Sequence, residues 1–406
     1  MSTAAVTFHD TIETIELKRD VTKHLKQGHR WIFANCFEGV RTLKSGIHML
    51  SYKGEMLALG IWQADTQLRF RVLVLADDPI FRRNNMKRTL ELYFESQFRK
   101  AVEIRRTFDL SVTNSFRLIN GEGDGLPGLI VDIYNDTAVI KHDHAIMEKT
   151  WNAPVIAEKI QEAFPQIKCV YLKRRNDADE KGTNIVGTLA PEVQFLENGV
   201  LFASNIRDAA KTGFFLDQRD NRKMIQNFAK DKTVLNLFSY TGGFSIFAAK
   251  GGAKEVTSVD IAKVAIQAVD RNFAINNLPT VHHDVATDAF AYLEQLNTEK
   301  KKYDIVITDP PSFAPNEKSV EQAKAAYTKV FSNSIKLVNP EGLFAASSCS
   351  SHISSKEFMD ICQEAFSKAR KKATLVYIGG QPVDHPYPLA MDCLLYTSDA
   401  ADEGLG

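Results

Sequence analysis

The stretch "TVLNLFSYTGGFSIFAAKGGAKEVTSVD" (residues 233–260) contains an apolar run, a glycine turn, a helical segment and a second apolar run. The first run, "TVLNLF", and the last, "EVTSVD", have the length and apolar content of buried strands. The segment between them, around "SIFAAK", is predicted to be the crossover helix that parallel strands require. The stretch therefore predicts a β-strand, an α-helix and a parallel β-strand in one sheet.

Strands and helices continue to alternate through the C-terminal half of the chain. The further segments are "AIQAVDRNFAINN", "YDIVITD", "KVFSNSIKLV", "GLFAASS", "EFMDICQEAFSKA" and "ATLVYIG". A repeated strand–helix order with continuous apolar strands is typical of a parallel, doubly wound α/β sheet. We therefore expect such a sheet over residues 206–391, with "ATLVYIG" as one of its strands.

Ligands of doubly wound sheets bind beyond the carboxyl ends of the strands. The first strand is followed by Gly242 and Gly243, which allow the backbone to approach a ligand closely. The second strand ends at Asp260, whose carboxylate could accept hydrogen bonds from ribose hydroxyls or could cap a helix. After the third strand we expect Asp284, facing an adenine amino group or, equally, capping a helix. The G-x-G-x-x-G spacing of NAD-binding folds is absent from the glycine turn, which counts against NAD.

The fourth and fifth strands end in the residues with the most distinctive chemistry. "YDIVITD" runs into Pro310 and Pro311, which end the strand and hold Asp309 in a rigid bend, although a simple turn would have the same sequence. "GLFAASSCS" places Cys349 after the fifth strand, at the same edge of the sheet. This cysteine is either a small buried thiol that closes the strand or a nucleophile, and its position alone leaves both open.

Two further blocks precede the doubly wound sheet. Residues 13–86 alternate short β-rich runs with turns, which predicts a small β-barrel or sandwich. Residues 87–205 begin with a polar helical segment and continue as strand, strand, helix, strand, a compact α+β unit. Residues 1–100 contain sixteen Lys/Arg and eleven Asp/Glu. This end of the chain is therefore a candidate surface for a polyanion, or a solvated basic face without a partner.

The composition excludes several classes of protein. The chain has 406 residues, 44% of them hydrophobic and 25% charged, enough for two or three cores and without a bias toward disorder. Its five cysteines are widely spaced, and its histidine pairs (His142 with His144, His282 with His283) have no second ligand cluster. We therefore expect reduced thiols and no metal. No apolar run could span a membrane and the N-terminus lacks signal-peptide features, so a cytoplasmic location is expected.

Several of these segments together resemble a known family. "VLNLFSYTGGFS", "VTSVDIAK" and "DIVITDPPSF" resemble motifs of class I S-adenosylmethionine methyltransferases. "RDAAKTGFFLDQRDNR" (residues 207–222), with "LINGEGDGLPGLIVDIY" and "GHRWIFAN", is similar to the bacterial methyltransferases that form 5-methylcytosine in large-subunit ribosomal RNA. This resemblance covers about residues 14–391. It implies an N-terminal PUA-like RNA-binding domain, a small central α+β domain and a C-terminal Rossmann-like methyltransferase domain.

The resemblance also implies S-adenosylmethionine as cofactor and a set of residues that bind it. Asp260 would hold the ribose and Asp284 would meet the adenine. The other candidates lie in the glycine turn, in the "FFLDQR" string and after the fourth strand. They are Phe215, Gln218, Arg219, Phe238, Ser239, Tyr240, Thr241, Gly242 and Asp309.

Methylation of cytosine at C5 gives Cys349 a chemical role. C5 of a neutral cytosine is a poor nucleophile, and addition of a thiolate to C6 converts it into an enamine carbon that can accept a methyl group. Under this interpretation Cys349 is the nucleophile, and Asp309 hydrogen-bonds the N3/N4 edge of the base. Many RNA enzymes of this kind have a second cysteine after the fourth strand, where this chain has Ser312. A guanine N7 or N2 methyltransferase and a non-catalytic ribosome-assembly factor remain alternatives.

The partner that the resemblance implies is large-subunit ribosomal RNA, with the oligomeric state left open. The target base must be turned out of its stack to reach both the cysteine and the cofactor. Basic residues of the first two blocks are expected to anchor the surrounding RNA through phosphates and 2′-hydroxyls. These candidates are Arg30, Arg69, Arg71, Lys173, Arg174 and Arg175.

The last fifteen residues do not continue the resemblance. Residues 392–406, "DCLLYTSDAADEGLG", resemble translated adapter or vector sequence. We expect this tail to be foreign to the fold, a last strand of the family pattern to be missing, and Cys393 to have no role.

Overall fold

The structure is a computed structural model, and it describes residues 4–8, 12–38, 43–174, 181–314, 317–350 and 352–391. Arg175 and the tail 392–406, both subjects of sequence predictions, lie outside these ranges. The described residues form three five-stranded sheets and one two-stranded hairpin. None of the helices in these ranges is long and apolar enough to cross a membrane.

The N-terminal sheet has five strands in the spatial order β1-β3-β4-β5-β2. Its elements are β1 (Thr14–Glu16), α1 (Thr22–Lys26), β2 (Trp31–Phe33), β3 (Gly46–Tyr52), β4 (Glu55–Trp62) and β5 (Leu68–Leu75). Lys53 and Gly54 both have positive φ (49° and 76°), as a two-residue hairpin turn that matches the strand twist requires. Leu50, Ala58 and Phe70 are fully buried in the core of this unit.

Two helices, α2 (Pro79–Arg83) and α3 (Met86–Arg105), lead to a central sheet in the order β10-β9-β8-β7-β6. Its elements are β6 (Ser115–Asn120), β7 (Leu129–Tyr134), β8 (Thr137–His142), α4 (Ala145–Thr150), α5 (Ala153–Ala163), β9 (Cys169–Lys173) and β10 (Gly182–Val186). Where the sequence predicts one helix the structure has two. The break follows from Trp151, which is 1% exposed and extends the backbone into the core, and from Pro154 in the first turn of α5.

The C-terminal sheet confirms the parallel, doubly wound α/β arrangement. A hairpin, β11 (Val193–Glu197) with β12 (Val200–Ser204), precedes it. The five strands lie in the order β15-β14-β13-β16-β17, and every pair is parallel. Its elements are α6 (Arg219–Phe228), β13 (Thr233–Leu237), α7 (Gly243–Lys250), β14 (Glu255–Asp260), α8 (Lys263–Ile275), β15 (Val281–Ala286), α9 (Ala289–Thr298), β16 (Tyr303–Thr308), α10 (Val320–Lys336), β17 (Val338–Ala346) and α11 (Ser355–Lys368).

Successive residues of the central strands face opposite layers of helices. Val234 of β13 belongs to the core cluster that includes α6, α7 and α8, whereas its neighbour Leu235 belongs to the cluster that includes α9, α10 and α11. In β16, Ile305 and Val306 divide in the same way. Side chains alternate between the two faces of a strand, so a strand buried on both faces has the continuous apolar sequence from which the sheet was predicted.

The prediction of a strand at "ATLVYIG" is wrong. Residues 371–380 have no regular secondary structure, and Leu375 and Ile378 are 60% and 71% exposed. Strand β17 is consequently an edge of the sheet among the described residues, with its ladder formed on the β16 side alone. A run of apolar residues forms a strand only where a neighbouring strand pairs with its backbone, and no described strand does so for this segment.

The end of the described chain returns to the central unit through Asp384. Its buried carboxylate contacts the guanidinium of Arg219 and accepts a hydrogen bond from the backbone N–H of Arg117 at 2.9 Å. Its backbone carbonyl accepts a hydrogen bond from Arg105 at 2.7 Å. Asp384 therefore links α3, β6 and α6, three elements from different parts of the chain.

Candidate active site

The turn after β13, residues 238–243, brings strained backbone to the carboxyl edge of the sheet. Phe238 and Tyr240 have positive φ (58° and 46°), a conformation that typically costs a non-glycine residue about 1–3 kcal/mol. The backbone N–H of Ser239 donates to the carbonyl of Val259 at 2.9 Å and stabilises the turn. A Cβ atom on Gly242 would lie 2.7 Å from a methyl of Val269. The glycine is therefore required for the close packing of this turn.

Asp260 is the last residue of β14, as predicted. Its Oδ2 accepts a hydrogen bond from the backbone N–H of Tyr240, and its Oδ1 accepts one from that of Ala262, both at 2.9 Å. Helix α8 begins three residues later, at Lys263, and Ala262 occupies its N-cap. Asp260 is thus not the helix N-cap. Its carboxylate is oriented by the glycine turn and by the chain entering α8.

The glycine turn contains buried polar atoms that no described residue satisfies. The hydroxyl oxygens of Ser239 and Thr241 are buried without a hydrogen-bond partner in the described ranges. The ring of Phe215 meets that of Tyr240 edge-on, with centroids 5.2 Å apart. Gln218, in the 3-10 turn of Leu216–Gln218, is half-buried and accepts a hydrogen bond from Asn221. Because unsatisfied buried hydroxyls are uncommon, they mark this turn as a place for a polar ligand.

Arg219 has a structural contact that the sequence did not indicate. It is 2% exposed, and its guanidinium forms a two-point contact with Asp384 while its charge lies 4.6 Å from the ring centroid of Phe108. Arg219 therefore holds the segment that begins α6 against the central unit. A direct contact with the cofactor stays a prediction.

Asp284 lies inside the third strand rather than beyond it, contrary to the expectation from the sequence. Strand β15 extends to Ala286, and Asp284 is exposed and paired in register with Ser258. The polar sequence "VHHDVA" is that of an edge strand, so it does not show where the strand ends. Asp288 instead follows the strand, and its carboxylate caps α9 by accepting a hydrogen bond from Ala291 N–H at 2.9 Å.

Asp309 follows β16 and is a weak acid. Burial, and next the charge of Asp217, raise the pKa of its carboxyl to about 7. The guanidinium of Arg222 and a hydrogen bond with Ser347 oppose this rise in pKa. The charge of Arg222 is largely engaged elsewhere, because two of its nitrogens contact the carboxylate of Glu197 at 2.7 Å. Near neutral pH a large fraction of Asp309 is therefore protonated, and in that form it can donate a hydrogen bond.

Cys349 lies beside Pro310, the residue that follows Asp309, at the same edge of the sheet. Strand β17 ends at Ala346, and the half-buried thiol of Cys349 lies 3.9 Å from the carbonyl oxygen of Pro310. The sequence order Asp-Pro-Pro after β16 and Ser-Ser-Cys after β17 thus translates into spatial contact. Parallel strands have their carboxyl ends at one edge, which is why the pattern predicts this proximity.

A network of hydroxyl groups surrounds Cys349. Tyr327 of α10 lies 2.9 Å from the hydroxyl of Ser350 and accepts a hydrogen bond from Ser348 at 3.1 Å. Ser350 in turn lies 3.0 Å from the hydroxyl of Ser312. Burial, and next the charge of Cys349, raise the pKa of Tyr327 to about 12. Sequence analysis missed Tyr327, because a tyrosine inside an amphipathic helix has no local signal of function.

The candidate RNA-binding cations differ in how far solvent reaches them. Arg71 is 5% exposed and contacts Glu122 at 3.1 Å and also Asp143. Lys173 is 4% exposed and donates to the backbone carbonyls of Ile206 and Ala209. Both side chains are therefore committed to the interior rather than to an RNA surface, contrary to expectation. Three candidates are only partly buried: Arg30, Arg69 and Arg174.

Within the described ranges, no group of three or more His, Cys, Asp or Glu side chains is arranged to hold a metal ion.

Comparison with known proteins identifies two domain types in the chain. The sequence profile of S-adenosylmethionine-dependent methyltransferases matches residues 142–373. The profile of PUA-like domains matches residues 15–74.

Two curated relatives match nearly the whole chain. Ribosomal RNA large subunit methyltransferase I of Tolumonas auensis is 31% identical over 384 residues, which cover 92% of this chain and 94% of the relative. Ribosomal RNA large subunit methyltransferase of Deinococcus radiodurans is 32% identical over 382 residues, covering 89% and 90%.

Two solved structures superpose on the chain with a TM-score of 0.81, and each alignment covers 95% of this chain and 98% of the other. One is a protein from Streptococcus mutans described as a SAM-dependent methyltransferase, at 25% identity. The other is SMU.776, described as a methyltransferase and complexed with SAH, at 26% identity. The similarity thus extends across all the sheets described above.

Proposed function

The chain belongs to the S-adenosylmethionine-dependent methyltransferase family, and from this premise we propose that it methylates C5 of a specific cytosine in large-subunit ribosomal RNA through a covalent bond to Cys349. The class of RNA is suggested by the names of the relatives from Tolumonas auensis and Deinococcus radiodurans. The site suggests the methylated atom, C5 of cytosine, and the reaction, which proceeds through a bond to Cys349. The observation that carries the proposal is the 3.9 Å approach of the Cys349 thiol to the Pro310 carbonyl, beside Asp309.

The glycine turn fits S-adenosylmethionine, which supplies an electrophilic methyl group when bound. The hydroxyls of Ser239 and Thr241 are buried and have no hydrogen-bond partner among the described residues, which suits them to bind the polar methionine part of the cofactor. Asp260 is held at the strand end with both oxygens oriented, as a ribose-binding carboxylate needs. For the adenine we assign Asp288 in place of Asp284, because Asp288 follows the strand whereas Asp284 lies within it.

Cys349 activates the base by adding to it. Its thiolate forms a bond to C6 of the cytosine, and the electrons of the C5–C6 double bond become available at C5. After C5 has accepted the methyl group, a base removes the C5 proton and the sulfur leaves C6, which restores the ring. Tyr327 can donate a hydrogen bond throughout these steps, because a pKa of about 12 keeps its hydroxyl protonated at neutral pH.

Asp309 stabilises the charge that forms on the base during addition. Attack at C6 increases the electron density on N3 and O2 of the cytosine, and a donor held at N3 stabilises that density. A carboxyl with a pKa of about 7 is protonated often enough to be this donor and acidic enough to share its proton. The ionised carboxylate would instead accept a hydrogen bond from the N4 amino group.

The N-terminal part of the chain is proposed to hold the RNA. We assign residues 13–86 to the PUA-like RNA-binding unit, residues 87–205 to the connecting helix and central unit, and residues 206–391 to the methyltransferase unit. Arg30 and Arg69 are its partly exposed cations among the candidates. Backbone contacts of this kind give affinity and position without reading sequence.

Two alternatives make different predictions. A guanine N7 or N2 methyltransferase needs no nucleophilic cysteine, so the Cys349 thiol would be dispensable. A non-catalytic ribosome-assembly factor would keep the fold without using the cofactor. The combination of a strained glycine turn, a weakly acidic Asp309 and a nearby thiol favours the enzyme that adds to the base.

The experiment is methylation of unmodified large-subunit ribosomal RNA with labelled S-adenosylmethionine, followed by nucleoside analysis and mapping. We expect label in 5-methylcytidine at one position, and its loss in Cys349→Ser with cofactor binding retained. Label in a methylated guanosine would support the guanine enzyme. A chain that binds neither labelled S-adenosylmethionine nor SAH would support the assembly factor.

A further inference from the structure

Four hydroxyl groups beside Cys349 form one hydrogen-bonded chain. Ser348 donates to the hydroxyl of Tyr327 at 3.1 Å, and Tyr327 lies 2.9 Å from the hydroxyl of Ser350. Ser350 lies 3.0 Å from the hydroxyl of Ser312. Tyr327 and Ser350 are fully buried, whereas Ser348 and Ser312 are only partly buried. The chain of hydroxyls therefore crosses the interior and ends at Ser312, which solvent can reach.

The protons of this chain point in one direction. A hydroxyl group has one proton to donate. Because Tyr327 accepts a hydrogen bond from Ser348, its own proton is left for Ser350. Ser350 is buried, and the only hydroxyl acceptor left to it among the described residues is that of Ser312. The hydrogen bonds are therefore donated in sequence from Ser348 towards Ser312, and each one strengthens the next.

Ser312 lies at the end of the chain of hydroxyls with a proton still to donate. Its oxygen accepts the hydrogen bond from Ser350, and no acceptor for its own proton lies within the described ranges. Ser312 is two residues after Pro310, whose carbonyl oxygen lies 3.9 Å from the sulfur of Cys349. This donor is thus in the same part of the site as the thiol.

Cys349 needs such a donor when it ionises. The Pro310 carbonyl is an acceptor, so it can bind the S–H of the thiol but repels the thiolate. Hydrogen bonds donated to an ionised group favour its ionisation. Tyr327 is close enough for the charge of the sulfur to act on its hydroxyl, but its proton is already donated to Ser350. Of the four hydroxyls, that of Ser312 is the one with a proton to offer the sulfur.

We propose that Ser312 donates a hydrogen bond to the ionised sulfur of Cys349, and that Tyr327 and Ser350 are positioning residues that orient this donor. The inference rests on the proposed role of Cys349 as nucleophile. The thiol proton is released to water before addition. The thiolate then uses an electron pair to form the bond to C6, and it recovers that pair when the sulfur leaves C6. Ser312 keeps its own proton throughout, so one donor stabilises the sulfur both before addition and after elimination.

Other titratable groups also influence the ionisation of Cys349. Those on the surrounding elements are Asp309 after β16, Tyr327 of α10, His352 after β17, and the ion pair of Lys324 with Glu357 that joins α10 to α11. All of them are present in the unmodified chain and in every serine variant. A difference between those variants therefore isolates the hydroxyl that has been removed.

The test is the pH dependence of alkylation of Cys349 by iodoacetamide, measured by mass spectrometry of the digested full chain without RNA or cofactor. The thiolate is the reactive form, so the midpoint of the rate profile reports its ionisation. Ser312→Ala should move this midpoint to higher pH by about one unit. Tyr327→Phe should move it in the same direction by less. Ser312→Thr retains the hydroxyl and should keep the midpoint of the unmodified chain.

Two controls accompany this measurement. Ser334→Ala removes a buried hydroxyl from the same helix as Tyr327. That hydroxyl donates to the carbonyl of Val330 at 2.8 Å and is not part of the chain of hydroxyls, so its loss should leave the midpoint unchanged. Cys362 is an internal reference, because burial raises the pKa of its thiol to about 11 and it should react slowly near neutral pH.

The same substitution should affect the covalent step in a pH-dependent way. With RNA in which 5-fluorocytosine blocks elimination, Ser312→Ala should form the covalent adduct about tenfold more slowly at pH 7, because a midpoint one unit higher lowers the thiolate fraction about tenfold. The deficit should shrink as the pH rises. A purely structural role of Ser312 would give a deficit that does not depend on pH.

Two outcomes would overturn the inference. One is an unchanged alkylation midpoint in Ser312→Ala. The other is the same shift in Ser312→Ala and Ser334→Ala, which would trace it to the fold rather than to this donor. Failure of the proposed function is separate. A chain that forms no 5-methylcytidine would still show the shift, whereas a chain that forms 5-methylcytidine without the shift would overturn this inference alone.

Discussion

Replacing Asp309 with asparagine should change stability and activity in opposite directions. Burial, with the charge of Asp217, raises the pKa of the Asp309 carboxyl from 3.8 to about 7. The Asp309 carboxyl ionises near pH 4 in the unfolded chain but stays protonated up to about pH 7 in the native protein. Its contribution to the free energy of unfolding therefore becomes more unfavourable as the pH rises from about 4 to about 7. The full shift of this pKa corresponds to a loss of at most about 4 kcal/mol in the free energy of unfolding. Solvent at the half-buried carboxylate lowers that limit.

Asp309→Asn preserves the size of the side chain and cannot ionise. We expect it to be as stable as the unmodified chain near pH 4 and more stable by about 1–4 kcal/mol at pH 8. Methyl transfer should fall by about tenfold to a hundredfold, because an amide can hydrogen-bond N3 but cannot share a proton with it. Urea unfolding at several pH values gives the stability, and initial rates at saturating RNA give the activity. A difference in stability that does not grow between pH 4 and pH 8 would refute the reasoning.

The pH dependence of methyl transfer separates this explanation from a simple packing effect. If protonated Asp309 is the active form, the rate falls as pH rises through about 7. Asp217→Asn removes the like charge, so the fall should move to lower pH by about one unit. Asp220→Asn is the matched control, since its side chain is 59% exposed and its loss should leave the midpoint unchanged. Identical shifts in the two variants would contradict a specific role for Asp217.

Three further predictions concern stability and association. Asp384→Ala leaves the buried guanidinium of Arg219 without its carboxylate and should cost about 3–5 kcal/mol in urea unfolding. Glu364→Ala removes an exposed ion pair with Lys368 and should cost less than about 0.5 kcal/mol. Burial lowers the pKa of His142 to about 4, so on acidification this histidine is protonated in the unfolded chain before it is protonated in the native protein. The free energy of unfolding should therefore fall by at most about 3 kcal/mol as the pH falls from 6.5 to 4. His142→Gln should flatten that part of the stability profile, and an unchanged slope would contradict the prediction. Ile378→Glu places a charge in the exposed apolar segment 371–380 and should reduce concentration-dependent light scattering, with Lys372→Glu as the control.

The C-terminal sheet could be predicted because its strands are buried on both faces. "TVLNL" and "YDIVIT" are mostly apolar, so the strands, the helices between them and the edge at which the strands end could be predicted from the sequence alone. The proximity of Cys349 to Pro310, the residue after Asp309, followed from the same pattern. The polar edge strand "VHHDVA" has no such pattern, so the sequence does not show that the strand continues past Asp284 to Ala286. "ATLVYIG" has a strand pattern without a described partner strand, so local sequence was misleading there.

The roles of the cations could not be predicted from sequence. Arg219 and Asp384 are 165 residues apart in the chain, and Arg71 and Glu122 are 51 apart. A buried arginine paired to a distant acid has the same sequence signature as one that binds a phosphate. Only the fold distinguishes them, and it places Arg71 and Lys173 inside the protein.

Formation of a covalent adduct on RNA that contains 5-fluorocytosine tests the central claim most directly. Fluorine at C5 cannot leave as a proton does, so the bond between Cys349 and C6 should persist after methyl transfer. We predict a denaturant-stable protein–RNA adduct, dependent on S-adenosylmethionine, with the cross-link at Cys349 in mass spectrometry of the digested complex. The adduct should be absent in Cys349→Ala and present in Cys362→Ala. An adduct that persists in Cys349→Ala would contradict the assignment of the nucleophile.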